Sequence, residues 1–296
     1  MKNLFFSFLL CLSAQSFTAQ SFTVQNDSLV LQNIGVADTV QKESTWSLLK
    51  YDLTSMGRGF VHTYATPLHW EKQDYLILAA TVASTGILFA TDEQTNKYFE
   101  KQGEDIPQGI KDFGFNFGQP LFNYGLTGSI YAYGLLTNNE KVRYTGVLMI
   151  TSASVGGLLQ QVLKTVAGRA RPTTDLGPYH FEPFNGSAEF SSFPSGHTVL
   201  AVTTMYSISK QFKSPWIKAG CFIVGSITPL SRLWVGAHWA SDVLLSTVMS
   251  VAIVESVDSY LKKEKRYKSN PDTFTPKKIS WNLRAGYNQI GLVGTF

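Results

Sequence analysis

Lys164-Thr-Val-Ala-Gly-Arg-Ala-Arg-Pro172, Pro194-Ser-Gly-His197 and Ser231-Arg-Leu-Trp-Val-Gly-Ala-His-Trp-Ala-Ser-Asp242 decide how the chain reads. In outline they are K-x6-R-P, P-S-G-H and S-R-x5-H-x3-D. Each borders an apolar run: 144–163 precedes the first, 198–209 follows the second, and 216–231 and 243–257 flank the third. Charged residues at the ends of apolar segments of helical length describe a bundle whose helix termini gather one polar site.

A phosphoryl group in transfer spreads its charge over equatorial oxygens, which suits forked guanidinium donors and an ammonium. Lys164, Arg171 and Arg232 supply those cations. Lys164 and Arg171 are seven residues apart, which on one continuous helix returns both to the same face, with Pro172 ending the helix beside the phosphate. Ser195 and Gly196 precede the apolar run from Thr198 to Ile208 and so fall at a helix start, where unpaired N–H groups and the dipole favour an anion. Gly196 lets oxygens approach the main chain. Ser195 reads as a hydroxyl donor, because local spacing fixes no base beside it.

His238 and Asp242 are four apart; with 235–251 helical they stack on one face, and the carboxylate accepts one ring N–H. The other ring nitrogen is then an oriented nucleophile. His197, on a separate helix start, is left to protonate the departing oxygen. The two histidines need opposite protonation states, which predicts a bell-shaped pH profile. Three cations and a single nearby acid disfavour a metal site, so no metal or other cofactor is expected and activity should survive chelators. Taken singly, a lysine at a helix end is ordinarily a solvated charge and Ser-Gly before a helix a cap; their ordered co-occurrence makes a site.

Together the motifs resemble those of the phosphatidic acid phosphatase type 2 (PAP2) superfamily, which also includes bacterial non-specific acid phosphatases and vanadium haloperoxidases. Every signature position matches, from about Lys164 to Asp242. The resemblance implies an all-α, PAP2-like bundle, a phosphohistidine on His238, orientation of that ring by Asp242, and leaving-group protonation followed by water activation at His197. Lys164, Arg171, Ser195, Gly196 and Arg232 would hold the phosphate oxygens. The expected activity is metal-independent hydrolysis of phosphomonoesters or pyrophosphates. Aromatic and apolar surroundings favour a lipid-linked substrate, phosphatidate-like or polyprenyl, over a small phosphoester. Alternative readings are an exported soluble acid phosphatase of broad specificity, a vanadate-dependent haloperoxidase using the same cage, and a phospholipid binder without turnover. Intact His197, His238 and Asp242 argue against the binder, which needs only the cations.

With 44% hydrophobic residues among 296, the chain can bury one sizeable core or cross a bilayer several times, and a net charge of +4 argues against a nucleic-acid partner. Apolar segments at 75–91, 119–137, 144–163, 198–209, 216–231 and 243–257 predict six core helices, membrane-embedded or membrane-associated. Lys2, an apolar run from Leu4 to Leu12 and small or polar residues to Gln20 have the layout of a signal peptide over 1–20. Its removal leaves Cys221 as the mature chain's cysteine, so no internal disulfide is expected. Residues 21–73 read as a polar lead and amphipathic region, 74–261 as the phosphatase domain, and 262–296 as a basic linker and tail. The strand-like stretch from Ile279 reads as a packed hairpin, since one strand cannot close a barrel. His62 and His69 read as ordinary surface or packing residues. The connection from Thr173 to Phe193, with Tyr179, Phe181 and Phe184, flanks the site and can select substrate; His180 and Glu189 in it receive no catalytic role.

Orientation is contested within the sequence. Basic clusters at Lys141/Arg143, Lys210/Lys213/Lys218 and Lys262–Lys268 lie on alternate connections, opposite the acid-rich loop from Asp92 to Asp112, which places the site on the periplasmic face of a bacterial-type envelope. Trp70 and Trp216 fit interfacial anchors. A cleaved leader followed by six spans would instead put the site on the cytoplasmic face. The charge-free runs 219–231 and 243–254, of 13 and 12 residues, are also short for spans of about 20 residues. A soluble periplasmic protein avoids both objections, while the number of charge-free segments favours the membrane.

Overall fold

The computed structural model describes residues 44–263 and 267 and the backbone of 280–286 and 289–295. The signal-peptide segment, the lead to residue 43 and most of the basic linker fall outside these described residues. α1 (Thr45–Ala65) starts where the Ser44 side chain accepts from the Ser47 amide at 3.2 Å, and α2 (Lys72–Ala90) starts in a reciprocal Glu71–Asp74 capping box. α3 (Asp92–Asp105) and α4 (Gln108–Phe117) are parted at Ile106-Pro107, where the residue before proline is extended. α5 (Pro120–Leu136) opens with a proline, and α6 (Glu140–Ala167) opens with the Asn139 side chain accepting from the Val142 amide at 3.2 Å. α7 (Gly196–Ser209), α8 (Pro215–Trp234) and α9 (Ala240–Lys263) complete the helices.

The six apolar segments fall in α2 and α5 to α9. The acid-rich stretch 92–112, read from sequence as a loop, is instead folded into α3 and α4, which lie against α8. Low hydrophobicity hid α3, which is polar and buries only Asp92 and Gly103, whereas α4 is a short amphipathic helix that buries Gly114 and Phe117. The tail forms an antiparallel hairpin, β1 (Ser280–Gly286) with β2 (Gln289–Thr295), appended to an otherwise helical chain.

The core runs along the α6–α9 seam. Val147, Leu148 and Val155 of α6 pack with Ile253, Val254, Val257 and Leu261 of α9, joined by Tyr131 from α5. At the start of α6, buried Asp52 of α1 pairs with Arg143 at 3.0 Å and accepts from the Tyr131 and Tyr267 hydroxyls at 3.0 and 2.7 Å. Nearby Asp258 of α9 accepts from the Tyr144 hydroxyl at 2.7 Å and pairs with Lys210 and Lys262 at 3.0 and 3.1 Å. These groups fasten α1, α5, α6, α7 and α9 at one end of the bundle. The opposite end is where α6 and α8 finish and α7 and α9 begin.

Three of the described helices, α2, α6 and α9, are long and apolar enough to cross a membrane. α2 has no buried residue and turns Leu76, Ile77, Val82 and Ile87 outward. Such a surface is costly in water and suited to lipid. Helices in lipid gain little from expelling water and associate through close packing, which favours small residues at crossings. α5 and α6 meet this way: a Cβ added at Gly146 would lie 2.6 Å from Tyr131 Cα. Gly146→Leu should therefore push α5 off α6 and cost about 1–3 kcal/mol, seen as a lower thermal midpoint in detergent; an unchanged midpoint would refute this contact as a packing constraint.

Candidate active site

α6 does not continue to Pro172. It ends at Ala167 with Gly168 in the left-handed region (φ +56°), where a Cβ would lie 1.8 Å from the Glu182 carbonyl oxygen. Lys164 thus sits on the last turn of α6 and Arg171 on the loop beyond, so a shared helix face is not what joins them. The joining element is the returning loop at 188–191. Lys164 Nζ donates to the Ser191 carbonyl, while Arg171 donates through Nε to the Ala188 carbonyl at 2.9 Å and through Nη2 to Ser191 Oγ at 3.1 Å.

The helix expected over 235–251 is also interrupted. α8 ends at Trp234, Gly236 turns at φ +60°, and α9 begins only at Ala240, leaving His238 in the turn before it. His238 Nδ1 lies 2.7 Å from the Ser192 carbonyl oxygen and 3.8 Å from Asp242 Oδ2. A carbonyl only accepts, so Nδ1 carries the proton and Nε2 holds the free lone pair. The carbonyl, rather than the Asp242 carboxylate, makes the bond that selects this tautomer. Asp242 is fully buried and occupied elsewhere: Oδ1 accepts from Arg169 Nη1 at 2.6 Å, and Oδ2 from Ser192 Oγ at 2.6 Å and the Trp239 amide at 2.9 Å.

Ser195 and Gly196 open α7 as expected, so the helix's first-turn N–H groups face the site. Ser195 is fully buried; its hydroxyl accepts from Thr198 Oγ1 at 3.0 Å and keeps its own proton available to donate. Lys164, Arg171, Gly196, His197 and His238 line one cavity of about 490 Å³. Asp242 and Ser195 lie behind its wall. Arg232 is buried beside it: the guanidinium sits 5.0 Å from the Phe115 ring centre, and the other contact of that ring is His197, stacked at 5.3 Å. His197 Nε2 is buried and has no hydrogen-bond partner among the described residues.

Burial, reinforced by Arg232 and the other nearby cations, pulls His197 down to about 3. Burial also pulls His238 down to about 4, with Lys164 and Arg171 adding to it and Asp242 opposing. Both rings are therefore neutral at pH 7 without a bound anion.

Sequence reasoning missed Arg169, Asp92, Ser192 and Phe115. Arg169 is fully buried and pairs with both Asp92 and Asp242. It stands at an unspecified position of K-x6-R-P, and its second acid is 77 residues away. The one available signal was a third cation among the nine residues Lys164 to Pro172, whose motif needs two. His180 pairs with Glu182 at the surface, away from the catalytic array.

A family model described as the PAP2 superfamily matches residues 145–265. A lipid A 1-phosphatase of Rhizobium etli is 35% identical over 105 residues, covering 35% of this chain and 44% of that protein. An undecaprenyl-diphosphatase of Bacillus subtilis is 30% identical over 125 residues, covering 42% of this chain and 60% of that protein. The chain thus spans less than two thirds of the length of either relative. Among solved structures, Aquifex aeolicus LpxE aligns at 21% identity with a TM-score of 0.41, covering 56% of this chain and 93% of that one. The family match encloses all three motifs, and over residues 145–265 this chain is similar to the PAP2 superfamily.

Proposed function

We propose that the chain is a lipid phosphatase that removes phosphate from a lipid-linked monoester or pyrophosphate by way of a phosphohistidine on His238. The observation that carries this reading is the cavity, in which cations and both histidines converge with an available His238 Nε2. Lys164, Arg171 and the α7 N-terminus at Gly196 take the equatorial oxygens, with Arg232 and the Ser195 hydroxyl adding charge and a donor from just behind the cavity wall. His238 Nε2 forms the bond to phosphorus as the bond to the leaving oxygen breaks, and His197 Nε2 passes that oxygen a proton. In the second step His197 takes a proton from water as the water attacks phosphorus, releasing phosphate and restoring His238. Asp242 steadies the positive charge that His238 acquires between the steps.

A lipid substrate is supported by the cavity's reach. Its walls extend from Lys164 down α6 to Gly157, roughly 10 Å at helical rise, and include Tyr124 and Leu200. That groove suits an apolar tail entering between α5, α6 and α7. The names of the matched relatives point to the same substrate class. Detergent-purified protein should release phosphate faster from a micellar lipid phosphate than from a soluble aryl phosphate, with chelator present, and His238→Ala should abolish both. Equal or better turnover of the aryl ester would favour the broad-specificity alternative, and full release by His238→Ala would sink the mechanism.

Charge supports one orientation. Lys141, Lys210, Lys262 and Lys263 collect at the end opposite the cavity, and the acids of α3 lie at the cavity end, a distribution that favours a cavity on the non-cytoplasmic, periplasmic face. A membrane-impermeant thiol reagent applied to intact cells should label Phe184→Cys and spare Lys213→Cys; the reverse pattern would invert the topology.

The low proton affinity of both rings sets the pH dependence. His238 must be neutral to attack, so kcat/KM should fall only below about pH 4. His197 is neutral in the free protein, so the proton it passes on must arrive with the substrate as a phosphate monoanion, whose second pKa is about 6. The alkaline limb of kcat/KM should follow the substrate's own phosphate pKa; a limb that stays fixed across esters of different pKa would contradict this proton route.

A further inference from the structure

Arg169 lies outside the cavity lining, yet it is tied to every group behind His238. Its guanidinium gives Nη1 to Asp242 Oδ1 and Ser241 Oγ at 2.6 and 2.8 Å, Nη2 to Asp92 Oδ2 at 2.8 Å, and Nε to the Pro178 carbonyl at 3.0 Å. The rings of Phe89, Trp239 and Phe181 surround it at 4.6, 5.4 and 5.8 Å. Its main chain matters as much. The Arg169 carbonyl accepts from the Ser192 amide at 3.0 Å, and Ser192 in turn presents its own carbonyl to His238 Nδ1 and its hydroxyl to Asp242. One residue therefore holds both groups that face His238 Nδ1, the carbonyl through its backbone and the carboxylate through its side chain.

We propose that Arg169, with Asp92 as its second counter-charge, is a positioning residue for the nucleophile, acting on the rate of phosphoryl transfer and not on phosphate binding. The proposal rests on the reading of His238 as the group that takes the phosphoryl. Its physical basis is charge placement. Arg169 between two aspartates leaves one net negative charge behind a cavity whose front carries Lys164 and Arg171. Without the guanidinium that charge becomes two, and the Asp242 carboxylate, still held at Oδ2 by Ser192 Oγ and the Trp239 amide, loses its restraint at Oδ1 and is drawn toward the clamp lysine and arginine. His238 then loses its fixed neighbour while the clamp keeps its cations. Asp92 opens α3 directly after the end of α2, and also accepts from the Ser241 amide at 3.0 Å, so it anchors the network to α3 and the start of α9.

The test uses full-length protein in detergent with Arg169→Lys, Arg169→Met and Asp92→Asn, an aryl phosphate as substrate and inorganic phosphate as competitive inhibitor. Arg169→Met should lose kcat by on the order of 100-fold, while KM and the inhibition constant for phosphate stay near wild type. Arg169→Lys, which keeps the charge and one carboxylate contact, should recover part of kcat, and Asp92→Asn should lower kcat by a smaller factor at unchanged KM. A rise in the phosphate inhibition constant with kcat unaltered would place Arg169 in the clamp instead. Unchanged kcat in Arg169→Met would make the network structural only. If the Arg169 variants do not fold, Asp92→Asn decides, and a wild-type kcat in it overturns the proposal. His238→Ala run in parallel separates the two levels: full activity there refutes the nucleophile itself, whereas its loss with normal Arg169 variants refutes only the positioning.

Discussion

A guanidinium taken out of water is tolerated only when its donors are met and its charge is balanced, and breaking such a buried pair costs about 3–5 kcal/mol. Arg169 meets that demand by drawing three separate parts of the chain onto itself: Asp92 at the start of α3, the Pro178 carbonyl in the long connection, and Ser241 and Asp242 at the start of α9. The same loop carries Arg171 two residues on, and the same α9 terminus follows directly on His238. The loop that bears Arg171 and the turn that bears His238 are thus both tied to one buried cation behind the cavity.

The rest of the fold supplies the ends to be joined. Four consecutive helices, α6 to α9, alternate in direction, so the last turn of α6, the first of α7, the last of α8 and the first of α9 share one end. The helix bodies bury neutral polar groups such as Asn123, Thr127, Ser152, Thr203 and Ser250. Buried charged side chains fall at two levels, the Asp52–Arg143 and Asp258 clusters at one end and the cavity at the other, with the Val147 to Val257 core between. The proposed lipid phosphate would match this division, with its head at the cations and its tail along the groove past Leu200 and Gly157.

Helix content was legible where hydrophobicity announced it. Six apolar segments became six helices because burial and lipid exposure both demand long apolar runs. α3 was not legible, since it is polar and held by packing against α8; α4 does carry Ile110, Phe113 and Phe117 at helical spacing, but over only ten residues beside an acid-rich stretch. The eight candidate site residues were readable from motif spacing, yet their local geometry was not. Gly168 and Gly236 take left-handed turns that end α6 and α8 early, so Lys164 with Arg171 and His238 with Asp242 meet through loops and not along a helix face. The His238 tautomer is set by a main-chain carbonyl at Ser192, and a carbonyl leaves no mark in the sequence. Arg169 was hidden for a related reason: its importance lies in partners far along the chain.

In the proposed mechanism the phosphoryl group passes through His238. The decisive experiment is single turnover of a substrate labelled with 32P on the transferred group, stopped in alkali where a phosphoramidate survives. Label should be bound to the wild-type protein within the first turnover and absent from His238→Ala. Wild-type protein that releases phosphate while never carrying label, or His238→Ala that carries it equally, would rule out a phosphohistidine at this position.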